Sequence, residues 1–448
     1  MSLNDIVVQL NNIAWGWPLL IFIVGAAIVC TVALFFVQFR YFITMWSLVF
    51  FPKTSKTETK EDMTPFQAFL NALSASVGNG SIAGVATAVY AGGPGVAVWL
   101  VILGFLGMAL RYAEVYLSSL FATHSAGGDA LGGPMIYLSR VPGGSFLPHF
   151  YAFLCFMLAL VSGNAMQANS MREGLITIMP FMPKLVIACI LLAFIMYVMF
   201  GGAKRIVAVS DKIVPLKVGL FFSTCILVIL YHYKSLIPAL HTIWEGAFNP
   251  AAIGGAALGL TIQNAMRFGI ARGANASEAG LGTAGILFGG SSSERPVENG
   301  IMSMLSAFIS ANLVCFSIAW MIVASGVWNS GETGLCLTIA AYRTVFGTAG
   351  GWMVTFLAIT FGMGVLVAYA YISRACWIFL TGGKFMNVFT LLYCAVTFLG
   401  AMAKVDVVWN STDLVNAGLL AANLWGILWL LPVIRKGLAQ YIAKGNGV

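Results

Sequence analysis

A run of glycine and small polar residues, Ser76-Val77-Gly78-Asn79-Gly80-Ser81, stands in the middle of an otherwise apolar stretch, and a second run, from Arg272 to Glu278, interrupts another. Neither has the residue types or spacing of a covalent catalyst. Both have what a break in a membrane helix needs. Glycines at 78 and 80 allow backbone torsions closed to other residues and a close approach of ligand. Where the second half of a broken helix begins, free amides point into the gap with the positive end of the helix dipole behind them, which favours a carboxylate. Asn79, Gly80 and Ser81 occupy that place. The carbonyls that end the first half, Ser74 to Val77, lose their helical partners and become available to a cation or to a substrate ammonium. A zwitterionic amino acid, accompanied by an ion, suits this pairing better than a sugar or a lipid.

Charged residues inside apolar runs are costly and are functional candidates by default. Glu114 follows Arg111 by three residues, which puts both on one helix face as a structural ion pair. Arg272 and Glu278 flank the second break, where Glu278 is placed to cap the following half-helix and to pair with Arg272, as structure or as a gate. Gln167, between Asn164 and Asn169, is polar at depth and can reach the gap or bond a neighbouring helix. Other chemistry has little to stand on. Gly78-x-Gly80-x-x-x-Gly84 is one residue off a dinucleotide fingerprint and lacks a βαβ context, and the four His show no metal spacing. Eight Cys, seven of them inside apolar runs, read as small core or lipid-facing residues. Neither an enzyme nor a cofactor is expected.

The elements that must position these residues follow from composition. Of 448 residues 60% are hydrophobic and 8% charged, and mean hydropathy is +0.92, far from the roughly 25% charge of soluble domains. An all-α polytopic membrane protein is expected, a single transmembrane domain over 1–448. Apolar runs near 17–39, 66–91, 94–120, 147–171, 183–201, 212–232, 250–290, 300–327, 351–378, 385–403 and 413–434 predict about eleven spans. The net charge of +8 would suggest nucleic acid in a soluble chain; here it reads as loop charge instead. Fifteen of 23 Lys and Arg follow odd-numbered spans and five lie on the other side, which places the N-terminus outside and the C-terminus inside. The opening MSLNDIVVQL lacks the basic start of a cleaved leader, so the first run is expected to remain as a span.

Each break opens a block of five spans, 66–232 and 250–434, behind one extra N-terminal helix at 17–39. An odd number of spans inverts the second block relative to the first. Paired discontinuous helices in inverted halves point to a secondary transporter with its site at the midplane.

At this point the chain resembles a known family, the alanine or glycine:cation symporters of prokaryotes. The stretches that carry the resemblance are SVGNGSIAGVATAVYAGGPG from 76, RYAEVYLSS from 111, GGPMIYL from 132, SGNAMQANS from 162, RFGIARGANASEAGLGTAGI from 267 and VDVVWNSTDLVNAGLLAANL from 405. The resemblance implies a LeuT-type fold of five plus five inverted helices behind one extra helix. It implies sodium-coupled uptake of a small neutral amino acid by alternating access in a bacterial cytoplasmic membrane. On it, the substrate would be held by Ser76, Gly78, Asn79, Gly80, Ser81, Gln167, Gly273, Asn275, Ser277 and Gly364, and the ion by Ser74, Val77, Thr360, Gly362 and Met363. Partners beyond an amino acid, a coupling cation and lipid are not implied, and a monomer is expected.

The departures fall where the family holds its ligands. The family's second-span motif reads SVGTGNIAGVATA, whereas this chain has Asn79 and Ser81 at the two polar positions. In the seventh span an R-G-L-F-S-N-E-A-G run is expected, with Phe walling the side-chain pocket. This chain has Asn275 there, which predicts a larger or more polar substrate than alanine. In the ninth span Gly362, Met363 and Gly364 stand where the family's sodium-ligating hydroxyls belong, and Ser373 replaces a Glu. A thioether is a poor ligand for a hard cation, which leaves Thr360 and backbone carbonyls as oxygen donors. The alternatives are a proton-coupled or ion-independent carrier or exchanger and, more distantly, a channel or a substrate sensor.

Overall fold

The computed structural model describes residues 14–51, 63–125, 128, 130–249, 261–291, 295–403 and 405–444, and the side chains of the last stretch from 412 onward. The chain is helical almost throughout, and the single sheet among the described residues is a two-residue antiparallel pair, Thr123–His124 with Ala130–Leu131. Part of the expected seventh span and second five-span block, 250–260, lies outside the described residues.

Helix α1 (Trp17–Ala33) does not run to 39 as its hydropathy suggested. It ends in a Schellman turn, in which Phe35 N donates to Val32 O and Phe36 N to Thr31 O, with both phenylalanines left-handed (φ 56° and 54°). The apolar run then continues through one helical turn into α2 (Phe42–Phe50). Helix α3 (Pro65–Ser76) starts at a capping box, in which Gln67 N donates to Thr64 Oγ1 and Thr64 N to Gln67 Oε1, with proline at its first position. It stops at Ser76, and α4 (Gly80–Gly92) resumes through a π turn with the axis bent by 44°.

Four helices follow: α5 (Val96–Leu120), α6 (Leu147–Ile178), α7 (Lys184–Met199) and α8 (Gly202–Tyr231). A short helix, α9 (Leu236–Phe248), precedes α10 (Ile262–Ser277) and α11 (Thr283–Gly289). The second break therefore lies at 278–282 rather than at Arg272, because Arg272 to Ser277 continue the helix and the chain turns only where Gly280 and Gly282 take φ +88° and +85°. The rest comprises α12 (Pro296–Ala324), α13 (Gly334–Phe346), α14 (Thr348–Thr381), α15 (Met386–Met402) and α16 (Val405–Ala443). The last bends by 58° near Pro432.

By length and composition five of these helices can cross a membrane, seven when the bent pairs α3/α4 and the two parts of α16 each count as one span. Helices α1, α7 and α15 are apolar but shorter, at 17, 16 and 17 residues. Helix α14 is 78% buried over its most apolar stretch and α8 only 33%, so α14 is central and α8 turns most of its surface outward. Helix α5 packs against α10, α11 and α12, and α14 against α3, α6, α8 and α13. The two breaks sit between these two packed groups.

Candidate substrate site between two broken helices

The first break leaves the end of α3 and the start of α4 facing a polar cavity. Ser76, Gly78, Gly80 and Ser81 line it from this side, and Gln167 and Ser162 line it from α6. Gly78 has no room for a side chain, since a Cβ there would lie 2.5 Å from Val365. Asn79 turns away from the cavity. Its amide donates to Gln167 Oε1 (3.2 Å), while its buried carboxamide lies beside Met171 and Gly362 with no hydrogen-bond partner among the described residues.

The second break presents Arg272, Asn275 and Glu278 to the same cavity. Glu278 caps the end of α10 with a left-handed backbone (φ 50°). Its carboxylate accepts from Tyr369 OH (2.6 Å) and from Thr283 Oγ1 (2.8 Å), so it ties α10 to α11 and to α14. Ser310, in a π turn of α12, joins the two breaks: its hydroxyl lies 3.0 Å from Ser76 O and 2.6 Å from Ala276 O.

The ends of the second break are clamped from α5. Arg111 and Glu114 pair at 3.0 Å, both fully buried. The Arg111 guanidinium donates to Ser277 O, at the carbonyl end of α10, and Glu114 Oε2 accepts from Gly280 N (3.1 Å) and Gly282 N (3.0 Å), ahead of α11. A cation thus meets the negative end of one half-helix and an anion the positive end of the other. Glu114, rather than Glu278, supplies the anion for those amides.

Several sequence candidates lie off the cavity. Gly273 packs α10 against Leu103 of α5. Ser277 Oγ donates to Gly273 O (2.8 Å) and accepts from Ala279 N (3.2 Å). Thr360 bonds back to its own helix at Phe356 O and Leu357 O, and Met363 packs on the apolar core. Ser74, Val77 and Gly364 converge on a different group, the Lys217 ammonium of α8.

Lys217 lies inside the expected sixth span, 212–232, yet near enough to its start to pass as loop charge, and so was not singled out. Sequence reading missed the contribution of α16 as well. Asn275 Nδ2 donates to Asp413 Oδ1 (3.3 Å), Asn416 Nδ2 donates to Asn275 Oδ1 (3.2 Å), and Asp413 and Asn416 both line the cavity. Asp413 stood at the expected edge of the last span, where a charge costs nothing; the signal available was the Asp413-x-x-Asn416 spacing on one helix face. Tyr369, which also lines the cavity, was hidden in an apolar run.

The cavity therefore offers amides and hydroxyls of a broken helix on one wall and carboxylate, guanidinium and carboxamide groups on the other. That set is complementary in charge and hydrogen bonding to a small zwitterion, and among the described residues no cluster of His, Cys, Asp or Glu could hold a metal. A family model described as the sodium:alanine symporter family matches residues 1–447. A Haemophilus influenzae protein named as an uncharacterized transporter is 32% identical over 447 residues, 99% of this chain and 97% of the relative. The sodium/alanine symporter AgcS of Methanococcus maripaludis is 31% identical over 443 residues, 97% and 96% of the two chains. A probable sodium/glutamine symporter of Bacillus subtilis, GlnT, is 27% identical over 441 residues, 98% and 91%.

Proposed function

The chain belongs to the sodium:alanine symporter family, and on that premise we propose that it is a secondary carrier that imports a small neutral or polar amino acid by alternating access. It is a multi-pass membrane transporter and not an enzyme. The observation that carries the proposal is the meeting of two helix breaks at one polar cavity, joined through Ser310. In this reading the substrate carboxylate lies against the backbone at Gly78, Gly80 and Ser81, with Ser76 beside it. Its ammonium faces Asp413 and Glu278, and its side chain extends toward Gln167 and Asn275. The two five-span blocks, 66–232 and 250–434, rock against each other as inverted halves of a LeuT-type fold in a bacterial cytoplasmic membrane, with the N-terminus outside. The paired breaks and the charge asymmetry support this. Two of the three relatives' names carry sodium; the amino-acid reading stands without it.

Asn275 sets the size of the pocket. Uptake of a panel of labelled amino acids into proteoliposomes is expected to include polar substrates larger than alanine. Asn275→Phe, which fills the space and removes the bonds to Asp413 and Asn416, is expected to narrow uptake toward glycine and alanine by about tenfold or more against the larger substrates. An unchanged profile would count against the pocket.

A further inference from the structure

The family resemblance places a sodium ion between the carbonyls of the first break and hydroxyls of α14, and the residues present do not fit one. Ending α3 at Ser76 leaves Ser74 O and Val77 O without helical amides, since Ser81 N turns back to Gly78 O (2.9 Å). Lys217 Nζ lies 2.9 Å from Ser74 O, 2.7 Å from Val77 O and 3.3 Å from Ser74 Oγ. Three ammonium protons thus meet three oxygens. Lys217 is fully buried, and the face of the Phe361 ring stands 5.7 Å from the nitrogen.

The facing helix is shaped to the same group. At Gly364 a Cβ would come within 2.8 Å of Lys217 Nζ and 2.9 Å of Ser74 Oγ, so no hydroxyl side chain fits there beside the lysine. Gly364 contributes its carbonyl instead, which accepts from Ser74 Oγ at 2.8 Å. Thr360, the hydroxyl one turn earlier, is bonded within its own helix. Glycine at 364 in α14 and the buried lysine in α8 thus fit together at one site. A hard cation needs oxygen lone pairs, and here the ammonium has taken them and adds a like charge.

We propose that Lys217 is a tethered cation that replaces sodium at the first break, so that amino-acid movement through this carrier requires no sodium. A cation fixed to α8 can join α3 to α14 but cannot be carried across. This inference rests on the carrier reading and names its coupling, and it can be tested apart from that reading.

Two measurements on the full-length chain do so. In proteoliposomes, counterflow exchange of the accepted amino acid is expected to differ by less than about twofold between sodium-containing and sodium-free buffer, against the tenfold or more that 1.4 kcal/mol of coupling produces. In detergent, radioactive sodium is expected not to bind the wild type, and to bind K217A, which frees Ser74 O and Val77 O. Exchange stimulated about tenfold or more by sodium, or sodium bound by the wild type, would overturn the proposal. If no amino acid is exchanged in any buffer, the carrier reading fails while sodium binding still decides this one. The wild-type measurements stand even if K217A does not fold.

Discussion

The most consequential residues at the second break are not those that touch the cavity but the pair behind it. Arg111 and Glu114 neutralise each other at 3.0 Å and spend their remaining bonds on the two loose ends of a broken helix. Glu114→Gln keeps one oxygen that can accept from Gly280 N and Gly282 N, but it turns its NH2 toward Arg111 and deprives that buried cation of its paired carboxylate. Breaking such a pair costs about 3–5 kcal/mol. The variant is expected to lose most of its folded yield and to melt well below the wild type in detergent; an unchanged melting temperature would contradict the clamp. The pair itself was legible in the sequence as Arg-x-x-Glu, but its partners were not, because they lie more than 160 positions away. Lys217 was illegible for a different reason. A lysine near the start of an apolar run looks like loop charge until the helix is seen to begin at Gly202, fifteen residues earlier.

At the scale of elements, glycine and polar residues at membrane depth revealed that two helices are broken, and for the first they gave the position. For the second they did not. Arg272 to Ser277 include good helix formers, and Gly273 is there so that α10 can approach α5, so the helix runs six residues further than its composition suggested. The short helices α9 and α13, 13 residues each, were invisible to a search for spans. Neither were the π turns at Val161–Ala165 and Phe308–Cys315 foreseen, although both bring residues to the site, Ser162 and Ser310. The first of them lets Gly163 lie flat against the Tyr369 ring. Gly163→Ala would push that ring off and break its 2.6 Å bond to Glu278, at an overpacking cost of about 1–3 kcal/mol. Uptake is expected to fall by about tenfold, with protein still recovered from the membrane; a rate within twofold of wild type would show that the Tyr369 contact is dispensable.

For the whole molecule, the charge asymmetry of the sequence is the basis of the proposed orientation, which helix packing alone does not supply. Helix α13 follows the eighth expected span and is about 20 Å long, too short to cross, so with the N-terminus outside, as proposed, exposed Cys336 would lie on the outer side. Partial burial raises its thiol above the usual range, and the carboxylates of Glu332 and Glu173 raise it further. Because only the thiolate reacts, labelling of intact cells by an impermeant maleimide is expected at Cys336, to rise as pH increases through the alkaline range, and to vanish in Cys336→Ser. Labelling only after the membrane is opened would invert the topology. Transport as proposed requires that one cavity, reached alternately from the two sides, binds an amino acid. Counterflow tests it most directly: vesicles loaded with unlabelled amino acid are diluted into a trace of labelled substrate. Transient, saturable accumulation of at least one small neutral or polar amino acid is expected. A flux that rises linearly with concentration, or no exchange of any amino acid offered, would contradict it.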